Sequence, residues 1–174
     1  MTSKGEHERQ VFLEFAEAAR LGVDADSISA CEPPQPDIRC LVNGTPTYFE
    51  LARLLNKAMQ KLRLKAMRQA PVPFALDPSV QLPEREVLSA KLRKHYECGD
   101  IPVELILYYD NENWLRGDVP LFWEDFPWHA EHVMVPLIRK TPEIFRRTWV
   151  FERHRRSVLW THPTGAIPSN ERCS

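Results

Sequence analysis

No run of 18 or more apolar residues occurs in the 174-residue chain, so a membrane-spanning helix is not expected. The first ten residues, Met1 to Gln10, hold no apolar stretch, and a secretory signal is not expected either. Cysteine is sparse: Cys31, Cys40, Cys98 and Cys173 lie far apart with no C-x-x-C pair. That spacing argues against a zinc knuckle and fits reduced thiols in a cytoplasm. An excess of one charge is missing too, since 23 Lys and Arg face 24 Asp and Glu for a net charge of -1. The chain as a whole therefore exerts no pull on nucleic acid, and any such partner must be held by local patches. No internal repeat is visible.

The composition that is present, 43% hydrophobic and 27% charged, is that of a globular chain. Its length suits one domain over residues 1–162, able to bury roughly 70% of the surface of its unfolded state. Residues 163–174, rich in Pro, Gly and Ser, read as a disordered tail.

The most informative stretch runs from Pro36 to Ala52. Two runs of strand-forming residues, Ile38 to Val42 and Thr47 to Leu51, flank Asn43-Gly44, the dipeptide best suited to the two positive-φ positions of a type I′ turn. A two-residue loop sets Asp37 directly across the hairpin from Glu50. Pro46 cannot donate a ladder hydrogen bond, and a four-residue loop Asn43 to Pro46 would make Glu50 a diagonal neighbour of Asp37. Either loop leaves both acids on one face, whereas a three-residue loop would separate them. Opposed like charges destabilise a sheet, and a hard divalent cation shared by the two carboxylates would offset that cost. The alternative is a turn aspartate after Pro36 and a solvated strand glutamate.

Upstream, Val11, Phe12, Phe15, Ala18 and Ala19 share one side of a helix expected from about Glu6 to Leu21, with Gly22 as its stop. Glu8 projects to the centre of that apolar side, Glu14 to its edge and Glu17 nearly opposite. Glu8 is either a ligand or a first-turn acid interacting with the helix dipole. Asp24 to Gln35 is a polar connection with a short strand expected at Ser27 to Ala30. Downstream, Arg53 to Gln69 reads as a helix carrying Lys57, Lys61 and Lys65 on one stripe, a solvated face or a track for a phosphate backbone. Ala70 to Pro83 is a proline-rich loop.

Pro83 then starts a helix expected to reach about Glu97, with Gly99 as its stop and Val87, Leu88, Leu92 and Tyr96 buried. Lys91 projects into that buried face, Arg93 away from it, and Lys94 lies at the margin. An inward lysine either snorkels to water or does chemistry. Val103 to Tyr109 is a strongly strand-forming run and the expected central strand. Asp110 to Asp118 is turn-like, and Phe122, Trp123, Phe126 and Trp128 form an aromatic cluster. His129 and His132 open a helix reaching about Lys140; with no third ligand at a recognisable spacing, they read as structural. Thr148 to Glu152 and Ser157 to Thr161 form a last hairpin about the basic tip Arg153 to Arg156.

The order helix, short strand, hairpin with Pro36-Asp37 and Glu50, helix, strand resembles the PD-(D/E)xK nuclease superfamily, over roughly Glu8 to Asp110. The resemblance implies an α/β (α+β) restriction-endonuclease-like fold, with a central mixed sheet of about four to six strands flanked by helices. It implies Mg²⁺, or Mn²⁺, bound by Asp37 and Glu50 with Glu8 as the first-helix acid, Glu14 being the other choice. It also implies hydrolysis of a nucleic-acid phosphodiester, DNA ahead of RNA, and homodimers are frequent in the superfamily. The chain departs from the pattern where Glu50-Leu51-Ala52 puts Ala52 in the place of the motif lysine. Related groups also lack that lysine and follow the hairpin with a helix of the type K-L-x-K-Y, to which Lys91-Leu92-Arg93-Lys94-His95-Tyr96 is similar. Lys91 is then the expected catalytic ammonium, with Lys94, Lys57 and Lys61 as alternatives. Two readings follow: a metal-dependent endonuclease, or a non-catalytic relative serving as an interaction or nucleic-acid-binding module, favoured by Ala52 and the near-neutral charge.

Overall fold

A computed structural model of the chain describes residues 4–54, 83–110, 126–141 and 144–163. Among them, six strands form one mixed sheet in sequential order: β1 (Ser29–Ala30), β2 (Ile38–Val42), β3 (Thr45–Arg53), β4 (Val103–Tyr109), β5 (Arg147–Glu152) and β6 (Ser157–His162). The central strands β3, β4 and β5 run parallel, while β1–β2, β2–β3 and β5–β6 pair antiparallel. Helix α1 (Lys4–Ala18) covers one face; α2 (Pro83–Leu92), α3 (Phe126–Val133) and α4 (Val135–Arg139) cover the other. The expected α+β class with a mixed sheet between helices is what the chain adopts.

Alternation along the buried strands divides the core. Phe49, Leu51, Ile106, Tyr108, Trp149 and Phe151 turn to α1, where they meet Val11, Phe12, Phe15 and Ala16. Tyr48, Ala52, Leu105, Leu107, Tyr109 and Val150 turn the other way, onto Leu88 and Leu92 of α2 and Phe126, Ala130 and Met134 beyond. All seven residues of β4 are buried, the pattern of a parallel strand covered on both faces. No helix of the described residues is long and apolar enough to cross a membrane.

The first hairpin takes the two-residue loop. Ile38 pairs with Phe49 and Val42 with Thr45, while Asn43 and Gly44 have φ of 49° and 78°. Pro46 is accommodated inside β3 opposite Leu41, so neither the four-residue nor the three-residue loop forms. Strand β3 is longer than expected and carries Arg53, which therefore does not begin a helix. Leu54 continues the strand contact, its N–H donating to the Tyr108 carbonyl, while residues 55–69 of the expected helix, with Lys57, Lys61 and Lys65, lie outside the described residues, as do most of the 70–83 loop, Asp118, Phe122, Trp123 and the tail from residue 164.

Other boundaries move for identifiable reasons. Helix α1 ends at Ala18 because Arg20 takes a left-handed φ of 52° and Leu21 N–H donates to Ala16. Gly22 does a different job: its carbonyl accepts from Asn43 N–H at 2.7 Å, and a Cβ there would meet Asn43 Oδ1 at 2.1 Å. The expected strand at 27–30 shrinks to β1 because Ala25–Ser27 form a 3₁₀ turn capped by Asp24. Helix α2 stops at Leu92 rather than Glu97, and Tyr96 is buried from the segment that follows, before the left-handed Gly99. The expected 129–140 helix is two short helices meeting at Met134, with Pro136 early in the second. The last hairpin forms as expected about residues 153–156.

Candidate active site

Strand β2 begins at Ile38, one residue short of the position facing Glu50, so β3 runs past it and the Leu51 backbone has no strand partner on that side. Two side chains complete the missing ladder. Asp37 Oδ2 accepts from Leu51 N–H at 2.8 Å, and Lys91 Nζ donates to the Leu51 carbonyl at 3.2 Å. The register continued by one residue puts Asp37 across from Glu50, on the face that α2 covers.

Glu50 is fully buried in mid-strand, where an isolated carboxylate would be prohibitively costly. The C-terminal part of α2 and the residues after it supply the compensation. Lys91 Nζ lies 2.5 Å and Lys94 Nζ 2.9 Å from the same oxygen, Glu50 Oε1. The inward projection of Lys91 is thus realised, and Lys94 joins it because the chain leaves the helix after Leu92 and turns back, Lys94 N–H donating to the Lys91 carbonyl. Lys94 also rests over the Tyr96 ring, 4.8 Å from its centroid. Glu50 Oε2 and Tyr96 Oη are both buried and neither meets full hydrogen-bond geometry, but they belong to neighbouring groups: burial first, and then the Glu50 carboxylate, raise the Tyr96 hydroxyl pKa.

Asp37 shows the electrostatic consequence. Its carboxyl pKa is raised to about 6, first by burial and then by the Glu50 carboxylate, with Glu8 adding and the Leu51 N–H and Lys91 opposing. Glu8, in the first half of α1, pairs with Lys4 at 3.3 Å, and its charge contributes to the raised Asp37 pKa. Lys4 in turn feels Asp37 and Glu50, its pKa raised chiefly by Glu8. Glu14 is committed elsewhere: Arg153 Nε and Nη2 hold its two oxygens at 2.6 and 3.2 Å. Of the two, Glu8 is the one whose charge reaches Asp37.

The remaining expectations resolve simply. His129 Nε2 approaches Glu84 at 3.8 Å, whereas His132 stacks on Trp128 with ring centroids 4.1 Å apart, so the two histidines serve separate contacts. Lys57 and Lys61 lie outside the described residues. Sequence reasoning passed over four acids buried among the described residues: Asp110, which His7, Arg53 and Arg153 face, and Glu84, Glu104 and Glu152. Glu84 accepts from Tyr109 Oη; Glu104 accepts from Arg146 and Trp149 Nε1; Glu152 accepts the His154 and Arg155 N–H groups at the hairpin tip. The only signal for Glu104 and Glu152 was an acid at a strand end or among apolar neighbours, which does not reveal its partner.

Among the described residues, no three His, Cys, Asp or Glu side chains converge closely enough to form a cation cage by themselves. A hard cation such as Mg²⁺ needs only one or two protein carboxylates, the rest of its shell being water and substrate oxygens. The buried Glu50 Oε2 and the neighbouring Asp37 carboxyl match that donor set in charge and element. No protein-family profile, curated protein or solved structure matches this chain.

Proposed function

We propose that this protein is a Mg²⁺- or Mn²⁺-dependent nuclease, hydrolysing phosphodiesters of DNA in preference to RNA, of the PD-(D/E)xK kind that its sequence resembles. The observation that carries the reading is the meeting of Asp37, Glu50 and Lys91: two acids on one face of a hairpin with an ammonium brought to them from a separate helix. Asp37 and Glu50, with Glu8 beside them, are the residues that would hold the cation. When bound, the cation would supply charge neutralisation at the phosphate and a lowered pKa for attacking water.

The chain's own residues account for the rest. An ammonium has three donors, and Lys91 spends two on Glu50 and the Leu51 carbonyl, which fix its direction. The third is left to orient water or to stabilise charge developing on a phosphoryl oxygen, the part a motif lysine would take from position 52. Burial beneath α2 keeps this exchange away from bulk solvent, where the same charges would be screened.

A second reading, the non-catalytic interaction or nucleic-acid-binding module, draws on one feature: Lys91 and Lys94 already neutralise Glu50 without any cation. Cleavage assays on single- and double-stranded DNA and on RNA, with Mg²⁺, Mn²⁺ or EDTA, separate the two. The nuclease reading expects metal-dependent cleavage lost in Asp37→Asn, Glu50→Gln and Lys91→Ala. Cleavage that survives all three, or that Lys61→Ala abolishes while Lys91→Ala does not, contradicts it.

A further inference from the structure

Lys94 and Lys91 differ in how they are held. Lys91 is anchored twice, to Glu50 and to a backbone carbonyl, and its side chain is 22% exposed. Lys94 has one hydrogen bond, to Glu50, and a perch over the Tyr96 ring, and its side chain is 37% exposed. Both ammoniums press on a single oxygen, Oε1, while Oε2 of the same carboxylate takes neither and has the Tyr96 hydroxyl nearby. Two ammoniums on one oxygen repel each other, and Lys94 is the less firmly held of the two.

Charge around the centre balances as it stands: the ammoniums of Lys4, Lys91 and Lys94 face the carboxylates of Glu8, Asp37 and Glu50. A divalent cation added there repels the nearest ammoniums and leaves the centre positive. The more weakly anchored ammonium yields first, and an anion is then needed to restore the balance.

We infer that Lys94 is a substrate-binding residue that changes partners: it neutralises Glu50 in the free protein, and on cation binding it turns outward to a phosphate of the nucleic-acid backbone. The inference rests on the nuclease reading and adds a division of labour, with Lys91 fixed at the acids and Lys94 serving the phosphate. Tyr96 is the pivot, because its ring face attracts the Lys94 ammonium, 4.8 Å from the centroid, independently of Glu50.

Such an exchange makes the effect of Lys94 on oligonucleotide binding appear in Ca²⁺ and vanish in EDTA, where Lys94 stays on Glu50; a lysine acting only through its fixed charge would weaken or strengthen binding alike in both. The probes are Mn²⁺, followed by calorimetry on the full chain, and a fluorescent single-stranded DNA oligonucleotide in EDTA or in Ca²⁺ to prevent cleavage, followed by anisotropy. Lys94→Gln should bind Mn²⁺ about threefold or more tightly than wild type, because the cation no longer competes with an ammonium. In Ca²⁺ it should bind the oligonucleotide about threefold or more weakly, with a salt slope reduced by about one phosphate contact. Lys94→Arg should restore oligonucleotide binding. Wild type that binds both ligands, with Lys94→Gln changing neither, changing both in one direction, or weakening the oligonucleotide as much in EDTA as in Ca²⁺, overturns the inference and leaves the nuclease reading standing. Wild type that binds no Mn²⁺ overturns both.

Discussion

Lys91 Nζ sits 2.5 Å from Glu50 Oε1, joining a helix and a strand that are 41 residues apart in the chain. A second bond, from Lys91 to the Leu51 carbonyl, sets the direction of the lysine. A buried carboxylate that loses its cation is strongly destabilising, but Glu50 has two cations, and the cost of removing either depends on the other.

Lys91→Met is expected to lower unfolding stability by about 2 kcal/mol and Lys94→Met by about 1 kcal/mol or less, since each leaves one ammonium on Glu50. The double variant should lose more than the two losses added together. Urea denaturation of the three variants measures this, and additive losses would show that the ammoniums do not share the carboxylate.

Asp37 predicts a pH dependence. Its folded pKa of about 6 exceeds the unfolded value of about 4, so the folded state binds the proton more tightly. The stability this group contributes is full below the unfolded value and is lost as pH rises through the folded one. Above pH 6 the ionised carboxyl costs on the order of 2 kcal/mol in the metal-free protein. Asp37→Asn keeps an oxygen for the Leu51 N–H and removes the charge. The variant should be more stable than wild type at pH 8, with the gap closing between about pH 6 and pH 4. Thermal unfolding across that range in EDTA tests it, and a gap that widens on acidification would contradict it.

The hairpin loop is tested at Gly44, whose φ is 78° and where an added Cβ would meet nothing within 4 Å. Gly44→Ala therefore isolates the backbone cost, expected at about 1 kcal/mol. Because the loop sets the register that pairs Asp37 with Glu50, the substitution should also weaken any Mn²⁺-induced stabilisation. An unchanged melting temperature would mean that the loop does not need its left-handed residue.

Much of this was legible in the chain, and the limits have physical causes. Asn43-Gly44 fixed the loop, the loop fixed the register, and the register placed the two acids, because each step is local and side chains alternate with period two. Lys91 was legible through helical projection, since it falls within the helical part of the segment. Lys94 and Tyr96 were legible only in part, because the helix ends at Leu92 and a projection at constant angle no longer applies beyond it. Pro46 misled in the other direction: a strand can hold a proline where it needs no donor, and the sequence does not show which edge that is. The partners of Glu84 and Glu104 come from elements 25 to 45 residues away and leave no periodic trace, whereas those of Glu152 lie in the hairpin tip beside it.

The central claim is that Asp37 and Glu50 together bind a divalent cation, and thermal unfolding of the full chain with and without excess Mn²⁺ or Mg²⁺ tests it most directly. A ligand that binds only the folded state raises the midpoint, by about 2 to 3 kcal/mol of stabilisation at one hundred times its Kd. The account predicts a rise for wild type and none for Asp37→Asn combined with Glu50→Gln, whereas no rise in wild type, or an equal rise in both proteins, would contradict it.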